Sequence, residues 1–142
     1  MKVSNNFVLQ EFVTPEIWAS HKERSLIFID IRVIQIAQFL RDIYGGITIN
    51  NWHTGGQYSE SGLRSFNTST GAKHSQHKYG RAIDLKFSDT TNKKVYADIL
   101  ANAKKFYDAG IRVVEDIADT PSWLHIDVRN TGKVNEIIIV SP

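Results

Sequence analysis

The chain has no cysteine among its 142 residues, which excludes both a disulfide framework and a thiolate metal site. Any metal ion must therefore be held by nitrogen and oxygen donors. A long apolar run is also missing: Leu26-Ile27-Phe28-Ile29 is broken by Asp30 and Arg32, too early to span a bilayer. No apolar stretch follows the single lysine of Met1-Lys2-Val3-Ser4-Asn5-Asn6, so no secretory signal is visible and no membrane insertion is expected. This reads as synthesis in the cytoplasm, with delivery by other means if the target lies outside. Repeats, linkers and low-complexity tracts are absent. The net charge is only +2, and basic residues are not interleaved with aromatics, so nucleic acid is not an expected partner.

What is present is an ordinary globular composition, with 42% hydrophobic and 23% charged residues. That is enough for one domain over residues 1–142 with a core that needs no staples. Thr14-Pro15-Glu16 combines a hydroxyl cap, proline at the first helical position and an acid facing the helix dipole. A short helix should run from there to about His21. Ile29, Val33, Ile36, Ala37, Leu40 and Ile43 recur at helical steps and predict a longer helix, stopped by Gly45-Gly46. Ile47 to Asn50 reads as a strand. Residues from about Asn51 to Ser75 form a long polar segment, and loops of that length are usually functional or disordered. We read it as a substrate-binding wall. A strand over Ala82–Phe87 precedes a helix from about Thr91 to Tyr107, capped by Thr90 or Thr91, with Val95, Ile99, Ala103 and Phe106 inward. Short strands should follow at Ile111–Val114, Leu124–Val128 and Glu136–Val140. The order implies an α+β domain, a mostly antiparallel sheet flanked by helices.

The chemistry sits in two segments, Ser75-Gln76-His77-Lys78-Tyr79-Gly80-Arg81-Ala82-Ile83-Asp84 and Trp123-Leu124-His125-Ile126-Asp127. Two imidazoles and a carboxylate suit Zn²⁺, and three protein ligands leave a fourth position open, the mark of hydrolytic rather than structural sites. Strand alternation places Leu124, Ile126 and Val128 on the core face, so Trp123, His125 and Asp127 point the other way. Ile83 and Leu85 likewise point inward, leaving Ala82, Asp84 and Lys86 opposite. His125 and Asp84 can share one cleft if the strands pair. Ala82 leaves room there, and Gly80 lets the chain turn so that His77 reaches back.

In Ser75-x-His77-x-x-Gly80-x-Ala82-x-Asp84 followed by Trp123-x-His125-x-Asp127, the chain resembles the zinc D-Ala-D-Ala carboxypeptidases and the phage L-alanyl-D-glutamate endopeptidases. That group shares its fold with lysostaphin-type peptidases and the hedgehog signalling domain. The resemblance runs from about Ile47 to Arg129, and Asn6-Phe7-Val8-Leu9-Gln10-Glu11-Phe12 resembles the opening of such proteins. It implies a hedgehog/DD-peptidase-like fold, one zinc ion held by His77, Asp84 and His125, and hydrolysis of peptidoglycan stem peptides. It also implies a phage or prophage role, with the enzyme reaching the wall after lysis or as part of a virion.

Such chemistry needs a carboxylate to carry a proton and a cation to stabilise an oxyanion or hold a substrate carboxylate. Arg64, in Ser61-Gly62-Leu63-Arg64-Ser65, matches the arginine that resembling enzymes carry before the first ligand. Arg81 should point away from the Asp84 face. Many relatives place Glu or Asp three residues before the last ligand, where this chain has Ser122, which cannot act as a base. Asp119 matches the place where hedgehog domains carry an acid, and the order of preference for the base is Asp119, Glu115, Asp116. Asp127 and Ser75 are expected to orient ligands and Trp123 to wall the site. For His74 and His21 the expectation is a solvated surface; Trp52 and His53 are candidates to line the cleft, with a buried anchor at a strand end the alternative for Trp52. Lys93 and Lys94 should lie on a solvated helix face. The missing acid at Ser122 keeps a second function open, a non-catalytic zinc domain that binds cell-wall peptide or a protein partner.

Overall fold

Thr14 ends an extended segment, and its hydroxyl accepts a hydrogen bond from the Ile17 amide at 3.3 Å. In the computed structural model, which describes residues 1–142, this cap opens helix α1, Pro15–His21. Helix α2, Ile31–Tyr44, begins later than the apolar stripe because the Asp30 carboxylate caps the Arg32 amide at 3.1 Å. Ile29 stays in the core just ahead of that cap, whereas Ile43 is exposed. Gly45 closes α2 at φ +80, where a side chain would be strained.

Five strands form one sheet in the order β1-β2-β4-β3-β5. They are β1 (Ile47–Thr48), β2 (Ala82–Phe87), β3 (Val113–Glu115), β4 (Leu124–Asp127) and β5 (Ile138–Val140). Every pairing is antiparallel except β3 with β5, so the fold is α+β as its element order implied. The edge strands are shorter than the apolar runs that announce them. The expected helix over residues 91–107 is instead two, α3 (Asn92–Ala101) and α4 (Ala103–Asp108). Asn102 leaves helical geometry at φ −128 and ψ 41, and its carboxamide donates to the Asp98 carbonyl at 3.1 Å. That local bond competes with the helix ladder, as asparagine side chains do. Thr91 supplies the α3 cap, accepting from the Lys94 amide at 3.1 Å.

One cluster of 23 buried residues joins α2, α3 and a single face of the sheet. Ile83, Leu85, Leu124, Ile126 and Val128 meet Val33, Ile36, Ala37, Leu40, Val95 and Ile99 there. Burying each of the larger side chains contributes about 1.5–3 kcal/mol, so register in β2 and β4 is strongly specified. The opposite sheet face is left to the polar alternates, and the 50–80 segment folds across part of it. No helix is long and apolar enough to cross a membrane.

Candidate metal centre

Antiparallel register sets Asp84 of β2 directly opposite His125 of β4, with Ala82 opposite Asp127. Both partners therefore project from the same side of the sheet, as alternation requires. His77 arrives from a one-turn 3-10 helix, Gln76–Tyr79, that ends on Gly80 at φ +65. A Cβ on Gly80 would lie 1.9 Å from the Phe28 carbonyl oxygen, so only glycine fits this corner. The turn puts His77 against the two strands.

His77, Asp84 and His125 are all buried and bring one donor atom each to a common point. His77 Nε2 lies 3.1 Å from Asp84 Oδ1 and 3.1 Å from His125 Nδ1, and His125 Nδ1 lies 2.8 Å from Asp84 Oδ1. Tetrahedral zinc with N/O ligands at about 2.0–2.2 Å needs donors about 3.3 Å apart, so the observed triangle matches to within a small relaxation. The outer contacts set the tautomers. His77 Nδ1 donates to the Gly62 carbonyl at 2.8 Å, leaving Nε2 with its lone pair inward. His125 Nε2 faces Asp127 Oδ2 at 3.6 Å, leaving Nδ1 inward. Imidazoles fixed by a carbonyl and a carboxylate behind them are what metal-binding histidines require.

In the ion-free protein three inward acceptors must share a proton, and His125 keeps it. Burial opposes that charge, but the facing Asp127 carboxylate, the hydrogen bond to Asp84 and the charges of Asp84 and Glu115 raise the His125 pKa to about 9. Burial drives His77 below its ordinary value, against the pull of Asp84. Burial alone would raise Asp84, yet the two imidazoles hold it far below the usual carboxylate range. A divalent cation replaces that single proton and satisfies all three lone pairs, so the residues present fit one metal ion.

The triangle opens on a cleft of about 490 Å³ whose walls include Ser75, Gln76, Glu115, Thr120, Trp123 and Arg129. Trp123 is 37% exposed and forms one wall. Ser75 also lines the cleft, beside the turn that carries His77. Arg64 also lines the cleft, where Nη2 donates to Asp84 Oδ2 at 2.9 Å and Nε to the Glu60 carbonyl. These bonds place it directly behind the Asp84 donor.

Asp119 does not approach this centre. It is exposed in the turn after β3 and lies outside the cleft. The Asp116 carboxylate builds that same turn, accepting from the Ala118 amide at 3.0 Å. Glu115 instead enters the site from β3, with Oε1 3.8 Å from His125 Nδ1. The pairing of Val113 with Asp127 and Val114 with Ile126 carries it there. Burial raises the Glu115 pKa, aided by Asp84 and Asp127 and opposed by His125 and Arg64. Raised carboxylates in clefts are what proton carriers need at neutral pH.

Asp127 is fully buried between His125 and Arg129, and Arg129 is the site residue that the motif reading passed over. Its only sequence signal is its place two residues beyond Asp127. His74 is exposed at the cleft rim, while Trp52 anchors its indole on the Val13 carbonyl at 2.9 Å. His53 stacks edge-on against Trp52 outside the cleft, and Arg81 leans over Tyr79 at the surface. Lys93 and Lys94 are solvated; His21 is exposed but stacks on Phe28 beside a second, more apolar cavity. Comparison with protein-family models, with curated proteins and with solved structures finds no match.

Proposed function

We propose that this chain is a zinc-dependent peptidase that hydrolyses peptidoglycan stem peptides, as a carboxypeptidase or an endopeptidase acting on the cell wall. The observation that carries the reading is the convergence of His77 Nε2, Asp84 Oδ1 and His125 Nδ1 beside a half-buried Glu115 in an open cleft. A zinc ion held by those three atoms supplies Lewis acidity and lowers the pKa of water to about 7. Glu115 accepts the proton of the attacking water and returns it to the leaving amine. Arg64 holds Asp84 in place through Oδ2, and Asp127 fixes the His125 ring from behind. Trp123 offers an apolar wall against which a short peptide can lie.

The test is a digest of purified muropeptides by the zinc-loaded protein, read by mass spectrometry. Release of D-alanine or of a cross-link fragment is expected. Glu115→Gln should keep zinc and lose about 10²–10⁴ in kcat, while Asp119→Ala should retain full activity. No cleavage with zinc bound would replace the enzyme with a zinc-containing module that binds wall peptide or a protein partner.

A further inference from the structure

A second cavity, of about 390 Å³, lies against the Lys78 and Tyr79 end of the turn that carries His77. That size falls within the range of small-molecule sites. Phe28, Leu63, Phe66 and Tyr79 supply its apolar wall, and no carboxylate borders it. Two edge-to-face pairs line it: His21 on Phe28 with centroids 5.0 Å apart, and Phe66 on Tyr79 at 5.4 Å. Phe66 is nonetheless 64% exposed, and Phe28 and Tyr79 are exposed too. Three exposed rings around one hollow mark a surface that meets another molecule.

The charges narrow down which kind of molecule. Lys78 borders the cavity, is only 7% exposed and pairs with no carboxylate. Its ammonium has three donors, and the one acceptor the protein gives it is the Thr68 carbonyl at 3.2 Å. A buried cation normally has a counter-ion, because leaving water unpaired is costly. Arg64 is already neutralised by Asp84, while Arg81, over the Tyr79 ring at 5.8 Å, adds a second positive charge beside the cavity. An apolar wall with an uncompensated ammonium is complementary to an anion with an apolar body. A carboxylate offers acceptors to the two remaining N–H groups of Lys78, and a ring packs against the rings already there.

We propose that this cavity is a binding site for a small carboxylate with an aromatic body, Lys78 serving as its counter-ion and Phe28, Phe66 and Tyr79 enclosing its ring. The site is separate from the metal centre, and the proposal does not depend on the peptidase reading.

The test uses phenylacetate and naphthoate, each against its neutral amide, titrated into isotope-labelled protein and followed by NMR. Chelator is present throughout, so that no carboxylate can bind a metal ion. At least one acid should bind tighter than its amide by about tenfold or more, the worth of a charge-assisted hydrogen bond. The shifts should fall at Leu63, Phe66 and Tyr79 rather than at Trp123 and His125. Lys78→Met should bring the acid down to the affinity of its amide. Phe66→Ser, at an exposed position, should weaken acid and amide together. No binding at millimolar concentration, or shifts confined to the metal cleft, overturns the proposal. Equal binding of acid and amide also overturns it, leaving a plain apolar surface suited to a protein partner. So does an acid preference that survives in Lys78→Met. Should that variant not fold, Phe66→Ser decides: an unchanged affinity for the acid overturns the site, and a fall sustains it.

Discussion

Replacing Arg64 by Met removes a nearly buried cation 2.9 Å from a nearly buried carboxylate. At an effective dielectric of about 20 the gross attraction at that distance is about 6 kcal/mol. Desolvation offsets much of this, and deleting one partner of a buried pair typically costs 3–5 kcal/mol. Asp84 keeps the protonated His125 as a second partner at 2.8 Å, so the lower figure of about 3 kcal/mol applies to the ion-free protein. Urea unfolding in the presence of a chelator should then show a midpoint lowered by about 1–3 M. A bound cation neutralises the same carboxylate, so saturating zinc should shrink the gap between variant and wild type by more than 1 kcal/mol. A penalty that is absent in chelator, or identical with and without zinc, would refute the placement of Arg64 behind a metal donor.

The proton on His125 predicts the pH dependence of metal uptake. Its pKa is raised from 6.5 to about 9, so the stabilisation it brings is complete below pH 6.5 and lost as pH rises through 9. Zinc must displace that proton, and affinity measured by chelator competition should therefore rise about tenfold per pH unit between these limits; a flat profile contradicts this. Gly80→Ala should destabilise the fold by at least about 2 kcal/mol, combining a left-handed backbone with a Cβ 1.9 Å from the Phe28 carbonyl. Gly132→Ala, at φ +68 with nothing within 4 Å, should cost only about 1 kcal/mol by the same thermal unfolding assay. Asn102→Ala should fuse α3 and α4 and raise the melting temperature, because asparagine's local bond is gone and alanine favours helix; no gain would mean that packing, rather than Asn102, sets the break.

The features legible in the sequence were those that local physics decides. Alternation in Leu124–Val128 separates the core face from His125 and Asp127, and register leaves no freedom once Leu124 and Ile126 are buried. Thr14 and Thr91 announce their helices because a hydroxyl cap is a short-range device. What stayed hidden depends on contacts distant in the chain. Asp119 ranks above Glu115 through its match to the acid of hedgehog domains, whereas pairing with β4 and β5 extends the strand expected to end at Val114 as far as Glu115. Arg64 showed no sign in the sequence that its charge would be taken up by Asp84. Arg129 lay just beyond the motif, and its fold onto Asp127 follows from an Asx-type turn, with the Arg129 amide donating to Asp127 at 3.1 Å.

The central claim is that one divalent ion binds between β2, β4 and the Gln76–Tyr79 turn. X-ray absorption on protein loaded with stoichiometric zinc tests it most directly, paired with His77→Ala and His125→Ala. One ion per chain, with two imidazole ligands and an oxygen shell in the wild type and an imidazole lost in each variant, is the expected result. Zinc that binds equally well to both variants, or a first shell without imidazole, would contradict the account.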